Sequence, residues 1–138
     1  MVVSELNILV SFHIYNLEYF DGALPLPNFK IRHGWKTLGC FYYEPGKTTG
    51  TSETIEITDF YDFTEEEFRD ILVHEMIHYY LHYTGMDGWI NHGKAFRRMA
   101  SRLNREYGLN ISVKVDVSNM KPSQKASYLR KKLFNLFM

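Results

Sequence analysis

The pattern of apolar and polar residues predicts three helices, with a group of short strands between the first helix and the second. Ser4 can cap the first helix, and Asp21 and Gly22 mark its end. The apolar residues of this segment recur at helical spacing and form one stripe, which consists of Leu6, Val10, Ile14, Leu17 and Phe20. We therefore expect an amphipathic helix between Ser4 and Asp21.

Strand-like runs follow a loop rich in glycine and proline at residues 22–28. The runs lie near residues 29–35, 38–43 and 53–60, and a turn at residues 44–50 separates the second run from the third. The chain contains no internal repeat, and its length fits a single domain.

The second helix is predicted to be central and buried. It begins at a capping box formed by Thr64 and Glu67, and Gly85 can end it. Apolar residues occupy most of its circumference, which is typical of a helix surrounded by other elements; they are Phe68, Ile71, Leu72, Val73, Met76, Ile77 and Leu81. Polar side chains in the middle of such a helix are costly unless a partner satisfies them.

His74, Glu75 and His78 form an H-E-x-x-H motif in the middle of this helix. The two histidines are four residues apart, so both imidazoles lie on one face and can bind one metal ion. Glu75 is rotated by about 100° from His74 and can contact a metal-bound water without being a ligand. In this motif zinc lowers the pKa of the water, and the glutamate takes its proton. The alternative is a pair of ordinary buried histidines.

A third ligand has to come from another segment. His82 lies about 12 Å from His74 along the helix axis, so the histidines of this helix cannot all bind one tetrahedral ion. The positions after His78 that supply the third ligand in metzincins and in thermolysin-like enzymes carry other residues here. His92 and the more distant Glu106 remain. His92 is the better candidate, because a turn-rich loop can bring it back and the glycine after it permits close backbone approach.

A third helix is predicted after Gly93, with an apolar side and a basic side. The apolar side consists of Ala95, Phe96, Met99, Leu103 and Tyr107, and the basic side consists of Arg98, Arg102 and Arg105. The tail at residues 121–138 has five basic residues, no acidic ones, and leucines and phenylalanines that could form an amphipathic helix. It could dock on the domain, contact nucleic acid or lie on an acidic surface, and docking is the interpretation that we favour.

Composition narrows the class of protein. A chain of 138 residues that is 45% hydrophobic can form one domain with a substantial core. Cys40 is the only cysteine, which excludes an intramolecular disulfide and a thiolate zinc cluster. The N-terminal segment lacks the basic region of a signal peptide, and no stretch approaches the roughly 20 apolar residues of a membrane span. We therefore expect a soluble, cytoplasmic protein.

Charge divides the chain into two parts of opposite sign. Residues 1–93 hold 5 Lys and Arg against 14 Asp and Glu, whereas residues 94–138 hold 11 against 2, so the net charges are −9 and +9. Such a division can orient a protein on a polyanion, or it can give one domain two complementary faces. Weak, non-specific DNA contact through the basic part is therefore one expectation.

These motifs together resemble the SprT-like metallopeptidase domain, which is the catalytic domain of the Spartan proteases. "HEMIH" and the following "HGKAF", whose histidine stands fourteen residues after His78, are similar to the two parts of the family's zinc motif. Upstream, "YNLEYFDGALP", "HGWKTLGCFYY" and "TIEI" are similar to family segments and occur in the same order. The resemblance covers roughly residues 6–113.

The resemblance implies that His74, His78 and His92 bind zinc and that Glu75 is the catalytic base. It implies an α+β, zincin-like fold, in which a small β-sheet packs on a central HExxH helix with flanking helices. It also implies hydrolysis of peptide bonds, with DNA-associated proteins as substrates in the Spartan branch. The predicted organisation is a SprT-like domain at residues 1–113 followed by a basic tail at residues 114–138.

The sequence therefore predicts a zinc-dependent metalloendopeptidase that uses one zinc ion and acts on a protein or peptide substrate. An alternative is a zinc-stabilised nucleic-acid-binding module with little or no proteolytic activity. The presence of Glu75 favours the enzyme, because a purely structural site needs a fourth protein ligand and no general base.

Overall fold

The computed structural model describes residues 1–45, 52–88, 90–124 and 126. The helices are α1 (Glu5–Phe20), α2 (Glu65–Tyr83) and α3 (Lys94–Tyr107), and the strands are β1 (Asn28–Arg32), β2 (Gly39–Tyr42) and β3 (Thr54–Thr58). The described residues therefore have the predicted α+β architecture. Among them, no helix combines the length and the hydrophobicity that a membrane crossing requires.

Helix α1 has the predicted bounds but buries a different face. The Ser4 hydroxyl caps it by accepting a hydrogen bond from Asn7 N, and Asp21 ends it in the left-handed conformation at φ 53°. The predicted apolar stripe is wrong as the buried face, since four of its members are 44–66% exposed: Leu6, Val10, Ile14 and Leu17. The buried residues are instead Ile8, Phe12, Asn16 and Phe20.

Aromatic packing and one buried amide explain which face of α1 is buried. The Phe12 ring lies edge-on to Phe29, with centroids 5.4 Å apart, and is stacked on Tyr79 at 6.4 Å. Asn16 donates from Nδ2 to Leu24 O at 2.9 Å and accepts at Oδ1 from Leu24 N at 3.1 Å. Aromatic side chains bury more area than the aliphatic ones of the stripe, and burial costs little for an amide whose oxygen and nitrogen are both hydrogen-bonded.

The three strands form a mixed sheet in the order β1-β3-β2. Strand β3 lies in the centre, parallel to β1 and antiparallel to β2, with Ile55 opposite both Phe29 and Phe41. Four of the five β3 residues are buried, which fits its central position. Phe41 of β2 stacks on Tyr79 of α2 with centroids 5.3 Å apart, so this edge strand of the sheet packs directly on α2.

Helix α2 is the central helix, as its apolar circumference predicts. Both halves of the capping box are formed, because Thr64 Oγ1 accepts from Glu67 N and Glu67 Oε1 accepts from Thr64 N. The helix contacts α1, α3, β2 and β3. Its fully buried side chains include Leu72, Met76 and Ile77, and truncating one of them to alanine is expected to cost about 2–5 kcal/mol.

The segment after α3 is fixed to that helix by one asparagine. Helix α3 ends at Gly108, which has φ 71°. The Asn104 side chain then accepts from Ile111 N at 2.8 Å and donates to Ile111 O at 2.9 Å. Because both atoms of the Asn104 amide are bonded to Ile111, the position of Ser112 beside α2 is set by α3.

Residues 120–123 run beside residues 60–62. Asp62 N donates to Lys121 O at 2.8 Å, and Ser123 N donates to Phe60 O at 2.7 Å. The division of the chain at residue 113 stays a prediction. Most of the predicted amphipathic tail and most of the predicted turn at 44–50 lie outside the described residues.

Candidate metal centre

The structure brings His74, His78 and His92 together. His74 and His78 come from adjacent turns of α2, and His92 comes from the turn that precedes α3. The Nε2 atom of His92 lies 3.0 Å from the Nε2 atoms of both other histidines. The sequence prediction that these three side chains converge therefore agrees with the geometry, although their role as zinc ligands stays a prediction.

His92 has a left-handed backbone conformation, which turns the chain so that its side chain faces α2. His92 has φ 57°, a backbone conformation that few residues with side chains adopt. The following Gly93 has little room for a side chain, because a Cβ atom there would lie 3.0 Å from Ile90 O. Such local strain is typical of functional sites, where the surrounding structure compensates a cost of about 1–3 kcal/mol.

The carbonyl of Ser112 determines which nitrogen of His74 faces the cluster. His74 Nδ1 lies 3.0 Å from Ser112 O, and because a carbonyl can only accept, the hydrogen is on Nδ1. His74 Nε2 therefore presents its lone pair to His92. Metal-binding histidines commonly have this arrangement, in which the second nitrogen donates to a carbonyl or a carboxylate.

Hydrogen bonds among the histidines cannot satisfy all three of the Nε2 atoms that face one another. A neutral imidazole nitrogen either donates one hydrogen or offers one lone pair, whereas His92 Nε2 has two neighbours at 3.0 Å. A cation placed between the three rings would attract a lone pair from each of them. The donor set therefore fits a metal better than it fits a network of hydrogen bonds.

The surroundings favour the neutral forms of these histidines. Burial, with further effects from the neighbouring imidazoles, lowers the pKa of His74 to about 4. Burial and the nearby His92 lower the pKa of His78 to about 4, and burial also lowers the pKa of His92. Neutral imidazole is the form that binds a metal, so the cluster is ready to act as a ligand set at neutral pH.

Phe96 forms a common support for the three imidazoles. Its ring centroid lies 4.8 Å from that of His74, 4.7 Å from that of His78 and 4.8 Å from that of His92. Phe96 itself is 2% exposed. Because the first turn of α3 is anchored in this way, the side chains have little freedom to move apart.

The distances and the number of ligands fit a tetrahedral ion with one open position. Zn–N bonds of about 2.0–2.1 Å in a tetrahedron separate two nitrogens by roughly 3.3 Å, close to the observed 3.0 Å. Within the described residues, the group that could hold a metal ion comprises these three histidines and no fourth ligand. The remaining segments contain no His, Cys, Asp or Glu. Three protein ligands are typical of a catalytic site.

Glu75 is buried beside the cluster. It is 7% exposed, and burial raises the pKa of its carboxyl group to about 8. Gly39 of β2 lies directly against it, because a Cβ atom at residue 39 would be 2.9 Å from Glu75 Oε2. The absence of a side chain at Gly39 thus leaves the space that the carboxylate occupies.

A cavity of about 720 Å³ opens onto the cluster. All three histidines and Glu75 line it, together with residues 39–41 of β2 and all of the described residues from 86 to 96. A peptide or another ligand of similar width could therefore reach both the metal-binding nitrogens and the buried carboxylate.

The other candidate ligands lie elsewhere. The His82 ring is stacked on Tyr43 with centroids 3.8 Å apart, and it is not part of the three-histidine group. Glu106 is exposed and forms an ion pair with Arg102 at 3.8 Å. Both placements agree with the sequence-based preference for His92.

Sequence reasoning missed three residues that shape the site. A glycine within a strand indicates close approach by another group, and this signal could have identified Gly39. Ser112 acts through its backbone carbonyl and Asn104 acts by holding Ile111, which lies seven residues away. Their side chains carry no motif, so only the fold shows their contribution.

Comparison with known proteins agrees with this geometry. A search of curated proteins finds no significant match. The profile of the SprT-like family matches residues 9–115, which is well over half of the chain and includes both parts of the histidine motif. The order of the motifs, the convergence of the histidines and the extent of the match lead to one assignment: this chain belongs to the SprT-like family.

Proposed function

We propose that this protein is a zinc-dependent metallopeptidase of the SprT-like type that hydrolyses peptide bonds. The observation that carries the proposal is the convergence of three imidazoles next to a buried carboxylate at the wall of an open cavity. A group that binds metal only for structure has no use for that carboxylate or for access from solvent.

Zinc is the proposed ion, with His74, His78 and His92 as its ligands. Imidazole nitrogens in a tetrahedral arrangement suit zinc, whereas calcium and magnesium prefer oxygen ligands. The arrangement of a sheet, a motif helix and a third ligand before the next helix supports a zincin-like fold. When bound, zinc would supply a more acidic water and a polarised substrate carbonyl.

Glu75 is the proposed general base and then the proposed general acid. Its carboxylate would accept a proton as a water oxygen attacks the carbonyl carbon, and it would return that proton to the nitrogen as the C–N bond breaks. Burial alone holds the pKa of Glu75 near 8, and a cation in the adjacent cluster would favour the ionised form that this first step needs.

The basic part of the chain supports contact with DNA as a further part of the proposal. Arg98 and Arg105 are exposed on α3, and Arg102 beside them is 46% exposed at its side chain. This surface suits non-specific contact with phosphates, which would bring DNA-associated proteins to the cleft. A module that binds nucleic acid without proteolysis is the alternative, and the buried Glu75 disfavours it.

Metal analysis combined with a protease assay tests the proposal. The purified protein should contain about one zinc per chain, and a chelator should abolish the cleavage of an unfolded protein substrate. Adding zinc back should restore the cleavage, whereas magnesium should not. The assay is run with and without DNA. A protein that binds zinc stoichiometrically and cleaves nothing under either condition would favour the alternative.

A further inference from the structure

A second cavity adjoins the candidate metal centre. It has a volume of about 520 Å³, and it shares Gly39, His74, Glu75 and His92 with the first cavity. The proposed catalytic groups therefore lie at the boundary between two recesses. A substrate whose scissile bond is at the metal would extend into both.

The two cavities follow each other along one groove. Leu38 lines the second cavity and Phe41 lines the first, so the boundary falls at Gly39 along the second strand. Along α2, Ile71 lines the second cavity and His78 lines the first. The same order on both walls places the cavities on opposite sides of Glu75.

The second cavity has an apolar lining that is open to solvent. Val113, Val115 and Val117 alternate along the segment after α3, are 47%, 42% and 38% exposed, and all line the cavity. Their charged neighbours Lys114 and Asp116 are not among its lining residues. Trp35, which is 57% exposed, contributes an aromatic surface to the same cavity.

Hydrogen bonds hold both sides of this cavity in place. The hydroxyl of Tyr61, which is 7% exposed, donates to Trp35 O at 2.9 Å. On the valine side, the Ser112 carbonyl accepts from His74 Nδ1 at 3.0 Å. Ser112, which precedes the valine segment, thus also orients His74. This hydrogen bond joins the valine side of the cavity to the candidate metal centre.

We propose that this cavity is a substrate subsite that takes an aromatic or large aliphatic side chain next to the scissile bond. The inference rests on the proposed peptidase function and specifies its substrate preference. Apolar side chains are removed from water when they enter a recess lined by tryptophan and valine, and this transfer is favourable. Among the described lining residues, Lys36 has the only permanent positive charge, so a phosphate-bearing ligand is disfavoured.

The test uses zinc-loaded protein and a set of matched peptides. Each peptide consists of glycine, serine and glutamine with one variable central residue, which is Phe, Leu, Ala, Lys or Glu. We expect kcat/KM for the Phe and Leu peptides to exceed that for the Ala peptide by about tenfold or more. Mass spectrometry should place the cut at a bond that flanks the variable residue.

Variants of the cavity lining separate this subsite from general hydrophobic attraction. Trp35→Ala should bring the ratio of kcat/KM for Phe over Ala close to one, and Trp35→Phe should keep most of it. Val115→Asp should favour the Lys peptide over the Phe peptide, whereas the isosteric Val115→Thr should not. Leu6→Ala is the matched control, because Leu6 is 66% exposed on α1 and lines neither cavity.

A binding measurement distinguishes failure of the subsite from failure of the peptidase function. Fluorescently labelled Phe and Ala peptides are titrated with zinc-loaded Glu75→Gln protein, with and without Trp35→Ala. We expect about tenfold tighter binding of the Phe peptide, and disappearance of that difference with Trp35→Ala. Equal binding of the two peptides would overturn the subsite, even if the enzyme is active. Preferential binding without any cleavage by the wild-type protein would keep the cavity as a binding site for apolar side chains and reject the peptidase function.

Discussion

Replacing Gly39 with alanine should displace the Glu75 carboxylate and leave the metal centre in place. The added Cβ would lie 2.9 Å from Glu75 Oε2, 3.1 Å from Glu75 Cγ and 3.2 Å from Ile71 Cγ2. Non-bonded carbon contacts are most favourable at about 3.5–4.0 Å, so the Glu75 side chain has to move by roughly 0.5–1 Å.

The expected effect on activity is much larger than the effect on stability. Misplacing a catalytic group by about 1 Å can reduce the rate roughly 100-fold, which corresponds to about 2.7 kcal/mol of transition-state stabilisation. Overpacking costs about 1–3 kcal/mol of folding free energy, but replacing a strand glycine by alanine recovers roughly 0.5–1 kcal/mol. The protein should therefore remain folded.

The assay compares zinc content, thermal unfolding and kcat/KM on an unfolded protein substrate. Gly34→Ala is the matched control, because a Cβ atom there meets nothing within 4 Å, and its kcat/KM should stay near the wild-type value. Unchanged activity in zinc-loaded Gly39→Ala would refute the link between this glycine and the carboxylate. Loss of zinc in that variant would contradict the expectation that the substitution acts on the carboxylate alone, because the metal centre would then have moved.

Three further predictions concern the ligands, their support and the basic surface. His92→Ala should lose its zinc and His82→Ala should keep it, as measured by elemental analysis; the reverse result would reject the third ligand. Asn104→Ala should weaken zinc affinity about 10–100-fold in a chelator competition, because the Ser112 carbonyl loses its support. Unchanged affinity would show that the Ser112 carbonyl keeps its position without the hydrogen bonds of Asn104. DNA binding should be independent of sequence and fall steeply with salt, and replacing the α3 arginines should reduce the salt slope by about 0.9 for each phosphate that the variant no longer neutralises; no binding at low salt would reject the proposed DNA interaction. The arginines to replace are Arg98, Arg102 and Arg105.

The features that sequence predicted well are those set by local geometry. Residues four apart on a helix share a face, so the position of His74 relative to His78 follows from the spacing alone. The capping box of Thr64 and Glu67 is equally local, and both of its hydrogen bonds are present. The turn with a glycine that can bring the chain back favours His92 over Glu106, and the resemblance to the SprT-like family implies the same residue.

Features that depend on packing between distant segments could not be predicted in this way. Helix α1 has apolar residues on two faces, and which face is buried depends on Phe12 meeting Phe29 and Tyr79. The contact between Gly39 and Glu75 joins a strand to a helix 36 positions later in the chain. The periodicity of one segment contains no information about either contact.

The proposed role of Glu75 is tested most directly by comparing the rate of peptide-bond hydrolysis by Glu75→Gln with that of the wild-type protein at equal zinc content. Glutamine has nearly the same shape as glutamate but cannot take a proton from water. We expect the variant to keep about one zinc per chain and to lose hydrolysis by at least about 100-fold. Wild-type hydrolysis in the zinc-loaded variant would contradict the proposed role, because the buried carboxylate would then not be the base.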